Sequence, residues 1–453
     1  MSHIPLALRT VALGTAVALG ALVPSVASAS VAGPSPTPAG HYTPAVGVNP
    51  HFRKVGTAKP ADTIFPCETT TPATCYGPQQ IRAAYGFDKL GKQGIDGRGQ
   101  TIVIVDAYQA PTIRHDLALF NRGAGLPDAP LDIYAPQGLT PFDINDGNQV
   151  GWAGEISLDV EYAHAIAPKA RIALVLAKSN DDPDIDAVLR WVADKKLGTV
   201  VSQSFGEAEE CVLNGAPELR IEHKIYQRMT ANGTTAIASA GDEGAAEPTC
   251  DGSSWIKAAS TPASDPLVTG IGGTALYANG VTGAYQGETV WNEPDYAVAG
   301  GSGLSKVYAE PSWQKAVQRT GRRSVPDVSY SAAVNEGVLT VWSSSGLGQD
   351  AVFVFGGTSA GSPQWAGLVA LAAQKAHHRL GDINPTLYAL GTSKYYPALF
   401  HDITKGDTSV VEPDANGNPV PISGVPADPQ WDFATGFGSP KAQYLVKALA
   451  AVD

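Results

Sequence analysis

Ser359 lies in a stretch whose composition is compatible with a nucleophile, FVFGGTSAGSPQWA at residues 353–366. The apolar residues and glycines before it are typical of a buried strand that ends in a tight turn. Pro363 and the apolar periodicity after it predict a helix. A serine at such a junction lies near the positive end of the helix, which stabilises negative charge beside its hydroxyl. The segment by itself is more typical of a well-packed turn of small residues, so a catalytic Ser359 requires a base elsewhere in the chain.

No histidine of the chain has the sequence context of a catalytic base. GTSAGSP approaches the serine motif of subtilisin-like peptidases, but their DTG-type aspartate and HGT-type histidine segments are missing. His164 lies near the end of a predicted helix, where a polar or capping role fits better. A base for Ser359 would therefore have to be a carboxylate.

Glu155 and Asp159 are spaced i and i+4 in WAGEISLDVEYAHAIA, a predicted helix over residues 152–167. That spacing places both carboxylates on one face, about one turn apart. Two carboxylates so close repel each other, which raises a pKa and lets the pair share a proton. The same spacing also occurs on solvated acidic helix faces, which is the alternative interpretation.

Three further aspartates lie in positions that could contribute to a site. Asp242 directly follows the apolar run TTAIASAG at residues 234–241, although a loop aspartate is ordinarily a cap or turn residue. Asp402 in HDITKGD and Asp432 in DPQWD could bind a hard cation such as calcium, together with backbone carbonyls.

The elements that must position these residues alternate between strand and helix. Apolar runs predict strands at 100–108, 170–177, 199–206 and 234–241, and helical periodicity is found at 152–167, 184–196 and 217–233. This alternation predicts a parallel sheet with helices on both faces, and sites in such sheets lie at the carboxyl ends of the strands. The part after residue 380 is rich in loops. We expect one large α/β domain over residues 66–453.

The N-terminal residues predict export. Arg9 precedes the apolar run VALGTAVALGALV, and Ala27-Ser28-Ala29 is a small-x-small cleavage site, so residues 1–29 are predicted to be a signal peptide. Residues 30–65 are rich in Pro, Ala and Ser and are predicted to be a linker. Later apolar runs are too short to span a bilayer, so we expect no membrane association after signal cleavage.

The net charge indicates which partners the protein can bind, and the cysteines indicate disulfides. A net charge of −12 argues against a nucleic-acid partner, which would require a basic face. Export favours disulfides. The four cysteines allow three pairings, of which the local pairs Cys67 with Cys75 and Cys211 with Cys250 are the simplest.

Several motifs occur together in an order that resembles the sedolisin family, the serine-carboxyl peptidases. They are EISLDVEYAHAIAP, SAGDEG, GGTSAGSP, FHDIT and WDFATGFGSP, and the similarity extends over roughly residues 76–442. The resemblance implies a subtilisin-like α/β fold, doubly wound and mostly parallel, with a loop-rich, calcium-binding C-terminal part. It also implies a polypeptide substrate, hydrolysed through an acyl-enzyme intermediate.

The resemblance assigns roles to residues of this chain. Ser359 corresponds to the nucleophile, Glu155 to the general base, Asp159 to the acid that orients it, and Asp242 to the oxyanion contact. Ser204, Phe205 and Gly206 match the segment that pairs with the substrate backbone. One calcium ion would be bound by the side chains of Asp402 and Asp432 and by the backbone carbonyls of Ile403, Asp428 and Gln430. The family usually has Gly-x-Gly-Trp-Asp where this chain has Asp428-Pro429-Gln430-Trp431-Asp432.

Together these predictions describe a secreted, monomeric serine peptidase that acts in acid. The alternative is a catalytically weak or inactive sedolisin-like scaffold that binds peptides or cell-surface material; a third hypothesis is a histidine-dependent hydrolase. Only about 46 residues separate the predicted signal cleavage from Tyr76, where the resemblance begins. We therefore expect a member without the long N-terminal prodomain of the family, with folding or regulation that differs from it.

Overall fold

The computed structural model describes residues 45–48, 50–58 and 65–452. The predicted signal peptide lies outside the described residues, as does most of the predicted linker. Ten α-helices lie within the described part: α1 (Pro78–Tyr85), α2 (Phe87–Gly91), α3 (Ile113–Ala124), α4 (Gly147–Ile166), α5 (Asp182–Lys195), α6 (Ala216–Ala231), α7 (Gly361–Ala376), α8 (Asn384–Gly391), α9 (Tyr396–Leu399) and α10 (Ala442–Leu449).

The same part of the chain forms 24 strands: β1 (His51–Thr57), β2 (Cys75–Tyr76), β3 (Thr101–Ala107), β4 (Leu131–Tyr134), β5 (Arg171–Ala177), β6 (Val200–Gln203), β7 (Glu207–Ala208), β8 (Thr235–Ser239), β9 (Ala246–Pro248), β10 (Trp255–Lys257), β11 (Ser260–Thr261), β12 (Val268–Ala278), β13 (Tyr285–Val290), β14 (Asn292–Glu293), β15 (Val298–Ala299), β16 (Gly303–Ala309), β17 (Arg322–Val325), β18 (Val328–Ser331), β19 (Gly337–Val341), β20 (Ala351–Gly356), β21 (Phe400–His401), β22 (Val410–Pro413), β23 (Pro419–Ile422) and β24 (Ser439–Pro440).

An eight-stranded sheet forms the centre of the fold. Its strand order is β13-β12-β8-β6-β3-β5-β4, and β18 pairs with the middle of β12. All pairings are parallel except that of β12 with β13. From β3 the sheet extends in two directions. On one side lie β5 and β4, and on the other lie β6, β8 and β12, so the strand order reverses at β3. Crevices at such switch points bind ligands at the carboxyl ends of the strands.

Both faces of the sheet are covered, as the sequence predicted. On β3, Ile102 and Ile104 belong to the core cluster that includes α4 and α7. The alternate residues Val103 and Val105 belong to the cluster formed with α5 and α6. Burial on both faces explains why the strand reads as a continuous apolar run instead of an alternating pattern.

A second sheet of four strands, in the order β1-β20-β19-β2, contains the strand that leads to Ser359. β1 pairs antiparallel with β20, from His51 opposite Gly356 to Thr57 opposite Ala351. Residues 51–57 lie inside the predicted linker, so the linker prediction is wrong for this part. Phe52 packs against aromatic rings of residues 342–355, partners that are too distant in sequence for a local composition argument to find.

Two disulfides join the local cysteine pairs, Cys67 with Cys75 and Cys211 with Cys250. Of the three pairings open to the sequence, the structure has the one with the shortest loops. In the described part of the chain, no helix is long and apolar enough to cross a membrane.

Candidate active site

Ser359 lies in the tight turn between β20 and α7, within a 3-10 turn over Thr358–Ala360. Gly357 before it has a φ of 110°, and a Cβ there would lie 2.6 Å from Oδ2 of Asp242. Only glycine suits that backbone and that space. The Ser359 side chain is half-buried, and its hydroxyl donates to the Ser204 carbonyl at 3.4 Å. The predicted strand-turn-helix junction is therefore present, with the hydroxyl still in part exposed.

The two carboxylates of the predicted base pair lie on α4, which begins at Gly147, earlier than predicted. The Asp146 side chain caps the helix by accepting two backbone N–H bonds. α4 packs against the sheet on one side and against α7, α3 and the second sheet on others. Glu155 and Asp159 consequently have no exposed surface. The alternative of a solvated acidic helix face is wrong.

Glu155 lies close to both Ser359 and Asp159. Each of these side chains is near enough for hydrogen bonding to influence the pKa of Glu155. Among the described residues, however, neither Glu155 oxygen completes a hydrogen bond of standard distance and angle. Catalytic hydrogen bonds are often long before substrate binds and tighten in the complex. Asp159 is better fixed, since its Oδ1 accepts from the Ser204 hydroxyl at 2.9 Å.

Burial raises the pKa of Glu155 and the pKa of Asp159 well above the usual range, and the nearby charge of Asp106 raises both further. Two buried carboxylates in contact cannot both ionise without a large cost. The pair therefore keeps a proton over a wide pH range, and that proton can lie between the two carboxyl groups.

Asp106 is a third carboxyl of this group, which the sequence analysis missed. It lies near the carboxyl end of β3 and has no exposed surface. Within the described residues, neither of its oxygens has a hydrogen-bond partner. Burial raises its pKa to about 8. In the sequence, Asp106 is a charged residue directly after the apolar run TIVIV. Like Asp242, it lies at the carboxyl end of a predicted strand, and that position could have indicated a site residue.

Asp242 follows β8 at this edge, close to the turn that carries the serine. Its Oδ1 accepts hydrogen bonds from the backbone N–H and the hydroxyl of Thr358, both at 2.7 Å. Burial raises the pKa of Asp242 to about 6. Its carboxyl group is therefore neutral in mild acid and can act as a hydrogen-bond donor there.

Ser204, Phe205 and Gly206 follow β6, which ends at Gln203, so the predicted strand over 199–206 is shorter than expected. The Phe205 ring lies 5.9 Å from the ring of Trp152 on α4. The backbone N–H and carbonyl of Gly206 lie at an edge that can pair with an extended chain. In the structure they pair with Gly47, as Gly47 N to Gly206 O at 2.9 Å and Gly206 N to Gly47 O at 3.2 Å.

The predicted calcium ligands lie in one loop region near Tyr396. Asp402 Oδ1 accepts from the Tyr396 hydroxyl and from the backbone N–H of Gln430, both at 2.8 Å. The same hydroxyl lies 3.1 Å from the Gln430 carbonyl. Gln430 has a φ of 73°, the left-handed region that a glycine occupies without strain. Asp402 and Gln430 are thus brought together, and Gln430 stands where the family pattern has glycine.

Asp432 is the buried carboxylate of this set. Its Oδ1 accepts from the backbone N–H groups of Ala434 and Thr435, and its Oδ2 from that of Asp428 at 3.2 Å. Burial raises the pKa of Asp432 to about 6. In the described residues, no group of three or more His, Cys, Asp or Glu side chains is arranged to hold a metal. The predicted calcium site has only two carboxylates, and its other three ligands are backbone carbonyls, so it would not form such a group. Its ligands are all oxygen atoms, which is the type that calcium prefers.

His164 does not contribute to the serine site. Its side chain is buried, and its Nε2 lies 2.8 Å from the carbonyl of Pro127. Burial lowers its pKa. This arrangement agrees with the polar role predicted from its place near the end of the helix.

A partly exposed serine beside a buried pair of carboxyl groups, on a parallel sheet with helices on both faces, defines a serine-carboxyl peptidase architecture. Comparison with known proteins points to the same class. The chain is 33% identical over 415 residues to kumamolisin of a Bacillus species, covering 88% of this chain and 68% of that protein. The chain belongs to the sedolisin family, as the resemblance predicted.

Two further comparisons, one of sequence and one of structure, identify similar proteins. Sedolisin of a Pseudomonas species is 36% identical over 254 residues, which are 54% of this chain and 39% of that protein. The solved structure of Pseudomonas sedolisin, a serine-carboxyl proteinase complexed with two molecules of pseudo-iodotyrostatin, superimposes with a TM-score of 0.68. That match has 27% identity and covers 82% of this chain and 97% of the other. No protein-family model matches the sequence.

Proposed function

We propose that the protein is an acid-acting serine-carboxyl peptidase that hydrolyses peptide bonds through Ser359, Glu155 and Asp159. The observation that carries the proposal is the complete burial of Glu155 and Asp159 beside a partly exposed serine. Burying two carboxyl groups costs stability unless they are paired or hydrogen-bonded, and that cost favours a functional role for them. Here they form a proton-sharing pair next to the hydroxyl that requires a base.

In this mechanism Ser359 Oγ attacks the carbonyl carbon of the substrate while its proton passes to Glu155. The electrons of the carbonyl double bond move to oxygen, and protonated Asp242 donates a hydrogen bond to that oxyanion. Glu155 then gives the proton to the leaving amine as the C–N bond breaks, which leaves an acyl-enzyme. Water then attacks the acyl carbon while its proton passes to Glu155. The bond from that carbon to Ser359 Oγ breaks as Glu155 returns the proton to Oγ, which releases the carboxylic acid product.

The carboxylate pair allows this chemistry in acid, and Asp242 confines it there. A histidine base is protonated in acid, whereas a carboxylate pair that shares one proton still accepts another. Asp242 must be neutral to donate a hydrogen bond, which requires a pH below its pKa of about 6. Asp159 orients Glu155, and it is itself held by the Ser204 hydroxyl.

A polypeptide would bind as an added strand. The main chain of Gly206 presents a donor and an acceptor at a sheet edge, and strand addition is a common mode of peptide recognition. We propose that Ser204, Phe205 and Gly206 form this substrate-binding segment. Export, predicted from residues 1–29, agrees with the two disulfides, which persist in oxidising compartments.

We also propose one calcium ion in the loop around Tyr396, held by the side chains of Asp402 and Asp432 and by the carbonyls of Ile403, Asp428 and Gln430. The observation in favour is the oxygen-only donor set. The ion would act on stability rather than on the reaction, because it would neutralise two carboxylates that the fold brings near one tyrosine.

The test of the peptidase proposal is a pH profile of peptide cleavage by the wild-type protein beside a Ser359→Ala control. We expect cleavage that is greatest below neutral pH, largely absent at pH 8, and lost in the control. Peptide binding without cleavage at any pH would favour the non-catalytic scaffold. An optimum at neutral or alkaline pH would favour a histidine base.

A further inference from the structure

A surface cavity of about 580 Å³ lies at the opposite end of the central sheet from the candidate active site. Gln100 and Thr101 line it at the beginning of β3, and Thr199 lines it immediately before β6. Residues of the active site lie at the carboxyl ends of the same two strands. His377, directly after the end of α7, also lines the cavity. α7 begins two residues after Ser359 and has 16 residues, so it separates the two sites by about 24 Å.

The lining of this cavity carries positive charge. We call it the basic cavity, after Arg98, His377, His378 and Arg379 in its lining. The described residues that line it include no aspartate and no glutamate. This composition contrasts with the whole chain, which has a net charge of −12. The local charge therefore favours an anion as the ligand of this cavity.

Arg98 is only partly neutralised by its neighbours. Its guanidinium lies 3.4 Å from the Asp96 carboxylate, and its side chain is 69% exposed. The ammonium group of Lys169 lies 2.9 Å from the same carboxylate. One negative charge is thus shared by two cations, and positive charge is left over beside the cavity.

Arg379 has neutral partners only, within the described part of the chain. Its guanidinium donates to the carbonyls of Lys196 at 3.2 Å and Asn232 at 3.4 Å, and to the Thr234 hydroxyl at 3.5 Å. Lys196 and Asn232 cap the carboxyl ends of α5 and α6, and arginine commonly donates to carbonyls at such ends. Capping orients the guanidinium without neutralising it. Capping also does not explain Arg98, which lies at no helix end.

A neutral side chain adds a further donor to the lining. The Thr199 hydroxyl donates to Oε1 of Gln100 at 2.8 Å, which fixes the orientation of the amide group. Among the described residues, Nε2 of Gln100 has no acceptor. The cavity thus combines an amide donor with two guanidinium groups. Guanidinium groups bind the oxygens of phosphate in a bidentate manner.

We propose that the basic cavity binds a phosphorylated ligand. A phosphate group carries up to about two negative charges and three acceptor oxygens, which suits two guanidinium groups better than a single carboxylate does. Small-molecule sites have volumes of about 300–1,000 Å³, so the cavity is large enough for an organic phosphate. The inference goes beyond the proposed peptidase activity and does not depend on it, because no residue of the lining belongs to the candidate active site.

The direct test is calorimetric titration of the wild-type chain with fructose 1,6-bisphosphate at low salt and about pH 6, in Bis-Tris buffer, which is not an anion. We expect saturable binding. Fructose, which lacks phosphate, should not bind, and the dicarboxylate succinate should bind about tenfold more weakly or worse. Equal affinities for succinate and the bisphosphate would overturn the assignment to phosphate.

Substitution of Arg98 assigns the binding to this cavity. Arg98→Gln is expected to weaken the binding of the bisphosphate about tenfold, as the loss of a charge-assisted hydrogen bond does. Because the Arg98 side chain is largely exposed, this variant is expected to fold. Arg122→Gln is the matched control, since Arg122 is an exposed arginine outside the lining. Wild-type affinity in Arg98→Gln would overturn the proposal.

Two further measurements complete the test. Arg379→Gln removes the other guanidinium together with its bonds to α5 and α6, so its melting temperature is compared first. If it is folded, it is expected to bind the bisphosphate about tenfold more weakly, and if it is not, the result for Arg98→Gln decides. Co-sedimentation with vesicles of equal parts phosphatidylcholine and phosphatidylglycerol, lost in Arg98→Gln, would assign the phosphate to a lipid headgroup instead of a soluble ligand. No binding of either the bisphosphate or the vesicles would overturn the proposal.

Discussion

Glu155, Asp159 and Asp106 bring three carboxyl groups together without exposure to solvent, and their environment raises the pKa of each. Desolvation is the main cause, because a charge in a low-dielectric interior loses its hydration. The consequence at the residue scale is that Glu155 and Asp159 keep one shared proton over a wide pH range, and the pair can still accept a second one from Ser359. A carboxylate can therefore serve as the base in acid, where a histidine is already protonated.

Glu155→Gln tests the base directly. The amide keeps the shape of the side chain but cannot take the serine proton, so turnover is expected to fall on the order of 10²-fold or more. Glu161→Gln is the matched control: Glu161 is also fully buried on α4, but it accepts from the backbone of Val341 at 3.0 Å. Turnover at the optimum pH, with melting temperatures to show folding, is the measurement. Wild-type turnover in Glu155→Gln would reject Glu155 as the base.

Asp242 is expected to set the upper limb of the pH profile. Its pKa is raised to about 6 by burial, so it is protonated below that pH and loses its proton as the pH rises through it. Asp242→Asn keeps a neutral donor at every pH, and is expected to retain more activity than Asp242→Ala and to move the upper limb towards higher pH. The measurement is the pH profile of kcat/KM for the wild type, Asp242→Asn and Asp242→Ala. An unmoved upper limb in Asp242→Asn would show that another group titrates there.

At the scale of elements, each part of the site comes from a different segment. α4 supplies the carboxyl pair, β3 supplies Asp106, and the turn after β20 supplies Ser359. The turn depends on Gly357, whose positive φ and lack of a Cβ leave room for Asp242. The geometry of the site is thus set by how these elements pack.

Calcium is expected to stabilise the loop that joins Asp402 to Asp432. At a concentration of 100 times its dissociation constant, a ligand that binds only the folded state stabilises it by about 2.7 kcal/mol. Asp402→Ala is expected to abolish the calcium-induced rise in melting temperature. Asp407→Ala, an exposed neighbour that contacts the backbone of Ser409, should preserve the rise. A wild-type melting temperature that changes neither with calcium nor with chelator would argue against the calcium site.

At the scale of the whole molecule, buried acids link folding stability to pH. Burial raises the pKa of Asp106 to about 8, that of Glu247 to about 8 and that of Asp242 to about 6. In the unfolded chain these groups titrate near 4. Between pH 4 and 8 the folded state therefore binds more protons, and its stability falls as the pH rises.

The free energy of unfolding is expected to decrease from pH 4 to pH 8 in buffer with chelator. Asp106→Asn removes one of these acids and should flatten the decrease, with the largest gain over the wild type at pH 8. Asp128→Asn, a substitution at an exposed site, should leave the curve as it is. Denaturant titrations at three pH values provide the data. Stability that rises steadily over this range would contradict the assignment of buried, protonated acids.

Much of the fold could be predicted from the sequence, because local patterns carry the information. The alternation of apolar runs and helical segments predicted the parallel sheet with helices on both faces, and the glycines around Ser359 predicted its turn. The i, i+4 spacing of Glu155 and Asp159 placed them on one helix face. The family followed from several motifs occurring in order.

Tertiary packing alone decided the environment of these residues. Nothing local distinguishes a buried Glu155 from one on a solvated face, since the packing against the sheet and α7 sets its exposure. Asp106 joined the site because α4, which carries Glu155 and Asp159, packs against β3. Likewise the strand at residues 51–57 exists because Phe52 finds aromatic partners about 300 residues away, which no local composition could show.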